Sequence, residues 1–289
     1  MKTLRYTAAL ALSLTVVAGP CRADSSASGT LGNVHITLTD LDPNDGINPS
    51  LTINFGSQPF LNSAIGSYGP DFEQDAFSHL GKNASSTVND SLQAPLSTSS
   101  ATMVGANTVA GITSMLVSGS ASSNSLGYGE FGALAANYTS TNFTLSPHTA
   151  ITITVDATLN VQTTIGYDPV SGTGEFASSH ALLVLDGHDI DGILIRSQAY
   201  QPLYVDAAMD AYGNFTGAQQ SWAGTLSVTY SNTSSQDLLG AFYGELDAGG
   251  SSIATPVPEP DSYALLAAGL GVMVWMTRRR KAQSLKRNA

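Results

Sequence analysis

Alternation of apolar and polar residues with a period of two is the main pattern in the middle of this 289-residue chain. Side chains of a β-strand point alternately to its two faces, so this alternation predicts half-buried strands. Two continuous apolar runs, at residues 181–185 and 193–195, flank a turn rich in Asp and Gly, which predicts a hairpin of more fully buried strands. The alternating segments are residues 34–39, 51–55, 151–155 and 226–230.

Several shorter apolar segments add further strand candidates, and the body has no helical stripe of useful length. Many short strands separated by turn residues predict an all-β fold, an antiparallel β-sandwich or jelly-roll-like body. Two stretches of small polar residues, 85–100 and 118–125, are typical of loops. The additional strand candidates are residues 103–109, 112–117, 143–145, 159–164 and 239–246.

The C-terminal region has a different pattern. Residues 263–276 carry no charge and predict an apolar helix roughly 21 Å long, shorter than the roughly 30 Å hydrocarbon core of a bilayer. Local thinning of the bilayer and snorkelling of basic side chains can make up the difference. We therefore expect a single C-terminal transmembrane helix. Its basic stop, expected on the cytoplasmic side, consists of Arg278, Arg279, Arg280 and Lys281.

A proline-rich motif precedes this helix. It consists of Val257, Pro258, Glu259 and Pro260. Each proline fixes its own φ and disfavours helix in the residue before it, so the motif should be extended and accessible to an enzyme. The order of Pro-Glu-Pro, apolar span and basic cluster resembles the PEP-CTERM sorting tail, also called the ice-binding protein C-terminal domain. The resemblance covers only about residues 255–281, and it predicts no ice activity for the body.

The resemblance implies export in a Gram-negative bacterium and processing by an exosortase, a membrane-embedded, cysteine-dependent enzyme of the transpeptidase type. It implies a membrane-anchored precursor and a mature form at the cell surface or outside the cell. Association with exopolysaccharide or biofilm is frequent in the family. On this basis we expect an exported, non-enzymatic surface or extracellular-matrix protein linked to exopolysaccharide or biofilm.

The N-terminal segment predicts a secretory signal peptide for the Sec export machinery. Basic residues at the start precede an apolar stretch at 8–18 and a small-residue exit that ends at Ala23. Cleavage after Ala23 would make Asp24 the first mature residue. Lipidation of Cys21 is disfavoured, because Pro20 stands where a small residue is required. Since Cys21 is the only cysteine, the mature chain would have no disulfide and no cysteine nucleophile.

The predicted organisation is a signal peptide at 1–23, a β-rich exported domain at 24–248, a linker at 249–256 and the sorting tail at 257–281. Charge is distributed unevenly along it. Residues 24–256 contain 20 acidic residues and only two basic ones, Lys82 and Arg196, a net charge of −18 against −11 for the whole chain. The body therefore has no basic patch that could replace the counterions of phosphates, which excludes nucleic acid as a partner.

Two acidic loops are candidate Ca²⁺ sites, and no other cofactor is expected. An EF-hand loop needs Gly at its sixth position and Glu at its twelfth, where the first loop has Asp45 and Leu51. Turn geometry alone explains both loops better, because Asp, Asn and Gly serve backbone turns. Weak Ca²⁺ binding is the alternative. The candidate ligands are Asp40, Asp42, Asn44 and Asp45 in the first loop, and Asp186, Asp189 and Asp191 in the second.

No catalytic motif is present in the sequence. The five histidines do not form a His-Glu-x-x-His site, no Gly-x-Ser-x-Gly motif occurs, and the acidic residues suggest no particular glycosidase pair. We therefore expect no enzyme, with a secreted hydrolase as the weaker alternative. A carbohydrate-binding module is the other alternative, with Trp222 as its first aromatic candidate. Further aromatic candidates are Tyr128, Phe131, Tyr138, Tyr200, Tyr204, Tyr212 and Phe215.

Overall fold

The structure, a computed structural model, describes residues 23–253 except residues 125, 167, 169, 171, 172 and 207 and the side chains of 208 and 209. The described residues form sixteen β-strands and no helix. The strands are β1 (Ala23–Asp40), β2 (Leu51–Phe55), β3 (Pro59–Tyr68), β4 (Glu73–Leu80), β5 (Thr87–Ala94), β6 (Ser97–Gly105), β7 (Ile112–Asn124), β8 (Gly127–Asn137), β9 (Thr141–Leu145), β10 (Thr149–Thr163), β11 (Gly174–His188), β12 (Leu194–Val205), β13 (Ala208–Met209), β14 (Phe215–Thr216), β15 (Gln219–Asn232) and β16 (Leu238–Ile253).

Fourteen strands form one antiparallel sheet that folds into two layers. The first layer has the order β5-β6-β7-β1-β10-β15, and the second has the order β12-β11-β16-β8-β3-β4, with β9 and β2 beside the first half of β16. The β7–β8 hairpin joins the layers. Across the core, β1 packs on β16 and β11, and β3 packs on β6. The all-β, antiparallel, sandwich-like body was correctly predicted.

The sequence alternation places apolar side chains between the layers. In β10, Ile151, Ile153 and Val155 are buried, while the threonines between them face outward. Some inner positions must be small so that the layers can approach. A Cβ added at Gly119 of β7 would lie 2.1 Å from Cδ2 of Phe131 in β8, so the aromatic ring occupies the space that glycine leaves.

All four alternating segments lie in strands, as predicted. The apolar runs at 181–185 and 193–195 do form the β11–β12 hairpin, but the expected burial of the second run is wrong. Ile193, Leu194 and Ile195 are exposed by 62%, 49% and 39%, because they lie at the tip of the hairpin, beyond the facing layer.

Two predicted loops are strands instead. Residues 85–100 contain β5 and the start of β6, and residues 118–125 fall largely in β7. Two serines of β6 replace apolar side chains on the inner face, because their hydroxyls bond carbonyls of the facing layer. Ser97 donates to the carbonyl of Gly66 at 3.0 Å and Ser99 to that of Gly132 at 2.8 Å. A rule based on apolar residues cannot detect such strands.

The predicted linker is also partly a strand, since β16 continues to Ile253 and pairs with β11 and β8. Glycine is required here by packing, because a Cβ at Gly250 would lie 2.7 Å from the Phe131 ring. The predicted helix at 263–276 lies outside the described residues. Among residues 23–253, apart from the gaps given above, there is no helix of the length and apolarity that a membrane span requires.

The sandwich has two ends, which we name by the strands that meet there. At the terminal end, β1 begins at Ala23 and β16 finishes at Ile253. Ser252 Oγ lies 3.0 Å from the carbonyl oxygen of Ala23, so these two strand ends are neighbours. At the far end, β1 finishes at Asp40 and β16 begins at Leu238.

Candidate functional site

Three ionisable side chains meet on the outer face of β11 and β16. His180 is in register with Asp247 across these strands, and Glu245 lies two residues before Asp247 on the same face. His180 Nε2 is 2.9 Å from Glu245 Oε1, and its Nδ1 is 3.6 Å from Asp247 Oδ1. The Tyr243 hydroxyl donates to the second carboxylate oxygen of Glu245. The imidazole is therefore held between two carboxylates.

These contacts change the acidity of each group. The hydrogen bond with Glu245 raises the pKa of His180 above its ordinary 6.5, and the same bond holds the pKa of Glu245 below 4.5. Burial raises the pKa of Asp247, and burial also raises the pKa of the Tyr243 hydroxyl. A protonated imidazole is thus favoured beside acceptor oxygens on an otherwise acidic surface.

Two tyrosines extend this surface along β12. Tyr200 and Tyr204 point to the outer face and are 52% and 50% exposed. The Tyr200 ring lies 5.5 Å from the His180 ring, and the Tyr204 ring lies 6.4 Å from that of Phe176. We call the surface formed by His180, Tyr200, Tyr204, Glu245 and Asp247 the tyrosine–histidine face. It combines exposed rings with charged hydrogen-bonding groups.

Sequence reasoning did not find this face, although Tyr200 and Tyr204 were among the aromatic candidates. Its residues come from three strands, and no spacing in the sequence connects position 180 with 245. The period of two on β12 would have placed both tyrosines on one face. Trp222, the first aromatic candidate, faces inward on β15, opposite the buried Leu159, and packs against the core. It therefore offers no exposed platform.

The first acidic loop is closed by a residue that sequence reasoning missed. His148, from the connection between β9 and β10, brings Nδ1 within 2.7 Å of Asp45 Oδ2 and 3.8 Å of Asp42 Oδ2. The other carboxylate oxygens serve the loop, since Asp42 Oδ1 accepts from the amide of Asn44 and Asp45 Oδ1 from that of Ile47. No local signal links position 148 to this loop.

The three groups could hold a divalent cation. Donors of a tetrahedral Zn²⁺, each about 2.0–2.2 Å from the metal, lie about 3.3 Å apart. This value falls between the 2.7 Å and 3.8 Å that separate His148 Nδ1 from the Asp45 and Asp42 carboxylate oxygens. Calcium prefers six to eight oxygen ligands, more than Asp42 and Asp45 present, whereas an imidazole nitrogen suits Zn²⁺. Asp40 Oδ1 accepts from the Asp42 amide, and Asp40 does not belong to this group of carboxylate and imidazole ligands.

The second acidic loop uses its carboxylates for the hairpin. Asp189 Oδ1 accepts from the amides of Asp191 and Ile193, and Asp186 binds Arg196 at 2.8 Å. Within the part of the chain that the structure describes, the only group of three or more potential metal ligands is that of Asp42, Asp45 and His148. Calcium binding stays a prediction for both loops.

The remaining predicted sites lie at the first described residue, Ala23, or outside the described residues. Ala23, the predicted cleavage residue, is the first residue of β1. The residues of the sorting motif and of the membrane stop lie outside the described residues. They are Val257, Pro258, Glu259, Pro260, Arg278, Arg279, Arg280 and Lys281.

We predict that His180→Gln destabilises the body in a pH-dependent way. The raised pKa of His180 gives stability that is present below about 6.5 and is lost as pH rises through the folded-state value. The lowered pKa of Glu245 gives stability that is present above about 4.5 and is lost at lower pH. The loss should be on the order of 1 kcal/mol between these limits, as urea unfolding would measure.

At about pH 9 the cost of the same substitution should be smaller, because the wild-type imidazole loses its proton as pH rises. His79→Gln, at an exposed position of β4, is the matched control, because none of the described ion pairs includes His79. An equal cost at both pH values for His180→Gln would contradict the ion-pair interpretation.

We also predict that Zn²⁺ raises the melting temperature more than Ca²⁺ does. At about 0.1 mM Zn²⁺ a rise of a few degrees is expected in thermal unfolding, because a ligand of the folded state stabilises it by mass action. His148→Asn should abolish the rise, since asparagine also tolerates the positive φ of 49° at this position. A rise with about 10 mM Ca²⁺ alone would instead favour calcium.

Comparison with known proteins gives one family match, and this match covers only the tail. Residues 256–281 match the PEP-CTERM protein-sorting motif. No curated protein and no solved structure matches the chain. The resemblance noted in the sequence is thereby confirmed for these residues. The chain carries a PEP-CTERM protein-sorting motif, which suggests exosortase-dependent export to the cell surface and indicates membrane-anchored sorting in a Gram-negative bacterium.

Proposed function

We propose that this chain is a non-enzymatic protein of the cell surface or extracellular matrix, delivered there after exosortase processing and associated with exopolysaccharide or biofilm. The sorting motif at residues 256–281 carries the proposal, because it suggests exosortase-dependent export. The strongly acidic, cysteine-poor composition of the body is compatible with a soluble domain outside the cell.

The architecture of the body supports this proposal. Residues Ala23–Thr255 form one compact unit. Both strand ends lie at the terminal end of the sandwich, joined through Ser252. Removal of a signal peptide that ends at Ala23, and of a sorting tail that begins at residue 257, would take only Ala23 from the described body.

We predict that Glu259→Ala, or removal of residues 278–281, causes retention or misrouting. The first change removes the carboxylate of the Pro-Glu-Pro motif and the second removes the basic membrane stop. Fractionation and intact mass spectrometry of the medium, surface and membrane fractions would measure the outcome. Glu73→Ala, an exposed acid on β4, is the matched control. Normal delivery and normal tail processing of both tail variants would contradict the sorting proposal.

A second candidate function is binding of a polysaccharide at the tyrosine–histidine face. Exposed aromatic rings stack on the apolar faces of sugars, and neighbouring carboxylates and imidazole can bond their hydroxyl groups. Tyr200 and Tyr204 provide two half-exposed rings on one strand face. The net charge of −18 between residues 24 and 256 favours neutral or cationic glycans over acidic ones.

We predict that the double variant Tyr200→Ala/Tyr204→Ala weakens binding to neutral polysaccharides by at least about tenfold, because aromatic anchors contribute 1–2 kcal/mol or more each. Pull-down and calorimetry with isolated polysaccharides would measure this loss. Tyr212→Ala is the matched control, since Tyr212 is 90% exposed, lies in the turn of residues 210–214 and is not one of the residues of this face. No polysaccharide binding by the wild type, or equal loss in the control, would eliminate this candidate.

A further inference from the structure

Glu175 is a buried carboxylate at the terminal end of the sandwich. Its Oε2 accepts from the amides of Thr164 and Ile165 at 2.5 and 2.9 Å, and the Thr164 hydroxyl lies 3.1 Å from both carboxylate oxygens. Ser252 Oγ is 3.1 Å from Oε1. The hydrogen-bonding capacity of the carboxylate is thus largely met by neutral groups.

None of the ion pairs between described side chains includes Glu175. The body has only two basic residues between positions 24 and 256, and both lie at strand ends away from the terminal end. Arg196 binds Asp186. Lys82 lies on the β4–β5 connection, and its backbone carbonyl accepts a hydrogen bond from the Gln58 side chain. Burial raises the pKa of Glu175, as expected for a carboxylate removed from water.

The backbone nitrogen of Asp24 lies beside this group. It donates to Thr164 Oγ1 at 2.8 Å, and the Thr164 amide donates in return to the carbonyl of Asp24 at 3.1 Å. Because the Thr164 hydroxyl bonds both partners, the Asp24 nitrogen is less than about 6 Å from both oxygens of Glu175. A charge at that distance affects a carboxylate substantially.

We propose that the mature N-terminus completes this site: the α-ammonium of Asp24, created by signal-peptide cleavage, is the counter-ion of Glu175. This inference rests on the predicted cleavage after Ala23. Hydrolysis adds water across the Ala23–Asp24 bond, so the new carboxylate leaves with the signal peptide and the amine stays on Asp24. An α-amine has a pKa near 7.7–8.0 and is mostly protonated at neutral pH.

The hydroxyl groups of the site fit this arrangement. Thr164 can accept from the ammonium while donating its single proton to Glu175. Ser252 also has one proton, and its oxygen is within hydrogen-bond distance of both the Ala23 carbonyl and Glu175. Departure of Ala23 removes one competing acceptor. Ser123 Oγ, 3.0 Å from Ser252 Oγ, can donate to Ser252 while Ser252 donates to Glu175. Cleavage therefore adds a charge partner and frees a donor for the same carboxylate.

The consequence is that cleavage at this bond stabilises the folded body. A mature chain that begins one or two residues earlier would hold its ammonium away from Thr164 and would leave Glu175 without a counter-ion. A chain that begins later would lose the pairing of Asp24 with Thr164. The position of cleavage, and not only its occurrence, would set the stability of the exported domain.

A double-variant cycle on the exported full-length chain tests the proposal. The chain is produced with its own signal peptide, and intact mass spectrometry establishes the first residue. The first variant has Gly-Ser inserted between Ala23 and Asp24, which preserves the residues before the cleavage site. The second is Glu175→Gln, and the third combines both changes. The same insertion between Thr255 and Pro256 is the control.

We expect the N-terminal insertion to lower the melting temperature of the body by about 2–4 °C with Glu175 present and by much less in the Glu175→Gln background. Hydrogen exchange at the amides of Thr164 and Ile165 should become faster with the N-terminal insertion but not with the control insertion. If Glu175→Gln does not fold, Thr164→Val replaces it in the cycle, because it removes the hydroxyl that connects the two charges.

Each outcome bears on the proposal. Non-additive effects of insertion and Glu175→Gln, with a first residue of Asp24, support the ion pair. Additive effects with that first residue overturn it, while export and sorting of the chain remain established by the mass measurement. A first residue other than Asp24 overturns both the predicted cleavage position and the site, and leaves the sorting role of the tail to its own experiment.

Discussion

The close approach of two β-layers over small side chains is the constraint on which the rest of this structure depends. Phe131 fills the space beside Gly119 and Gly250, and a side chain at either glycine would collide with its ring. Serines on the inner face of β6 bond carbonyls of the facing layer and so allow polar residues in the interior. The body thus closes tightly without cysteine or helix among its described residues.

This way of packing determines which parts of the fold could be predicted from the sequence. Strands such as β10 and β15 were recognised because apolar inner residues alternate with polar ones. The first half of β6 and the second half of β7 were not, because serine and glycine take many of their inner positions. The same composition hid the last residues of β16 in a predicted linker. β5 was missed although Val88, Leu92 and Ala94 face the core, because polar residues fill the rest of the strand.

The functional surfaces were predictable to a smaller extent. The acidic loop around Asp42 and Asp45 was identified, but His148, which closes it, is about a hundred residues away and has no local signal. The tyrosine–histidine face likewise joins positions 180, 200 and 245, which only strand order brings together. The sorting motif needed no fold at all, because its order along the chain is itself the signal.

The neighbouring ends of β1 and β16 have a consequence for the connectivity of the body. Because Ser252 reaches the carbonyl of Ala23 at 3.0 Å, a short loop could join the last strand to the first. The chain could then be opened elsewhere, for example in the exposed turn between β11 and β12, without interrupting any strand pairing. The sandwich is therefore suited to circular permutation, and its order of strands in space does not require this order in sequence.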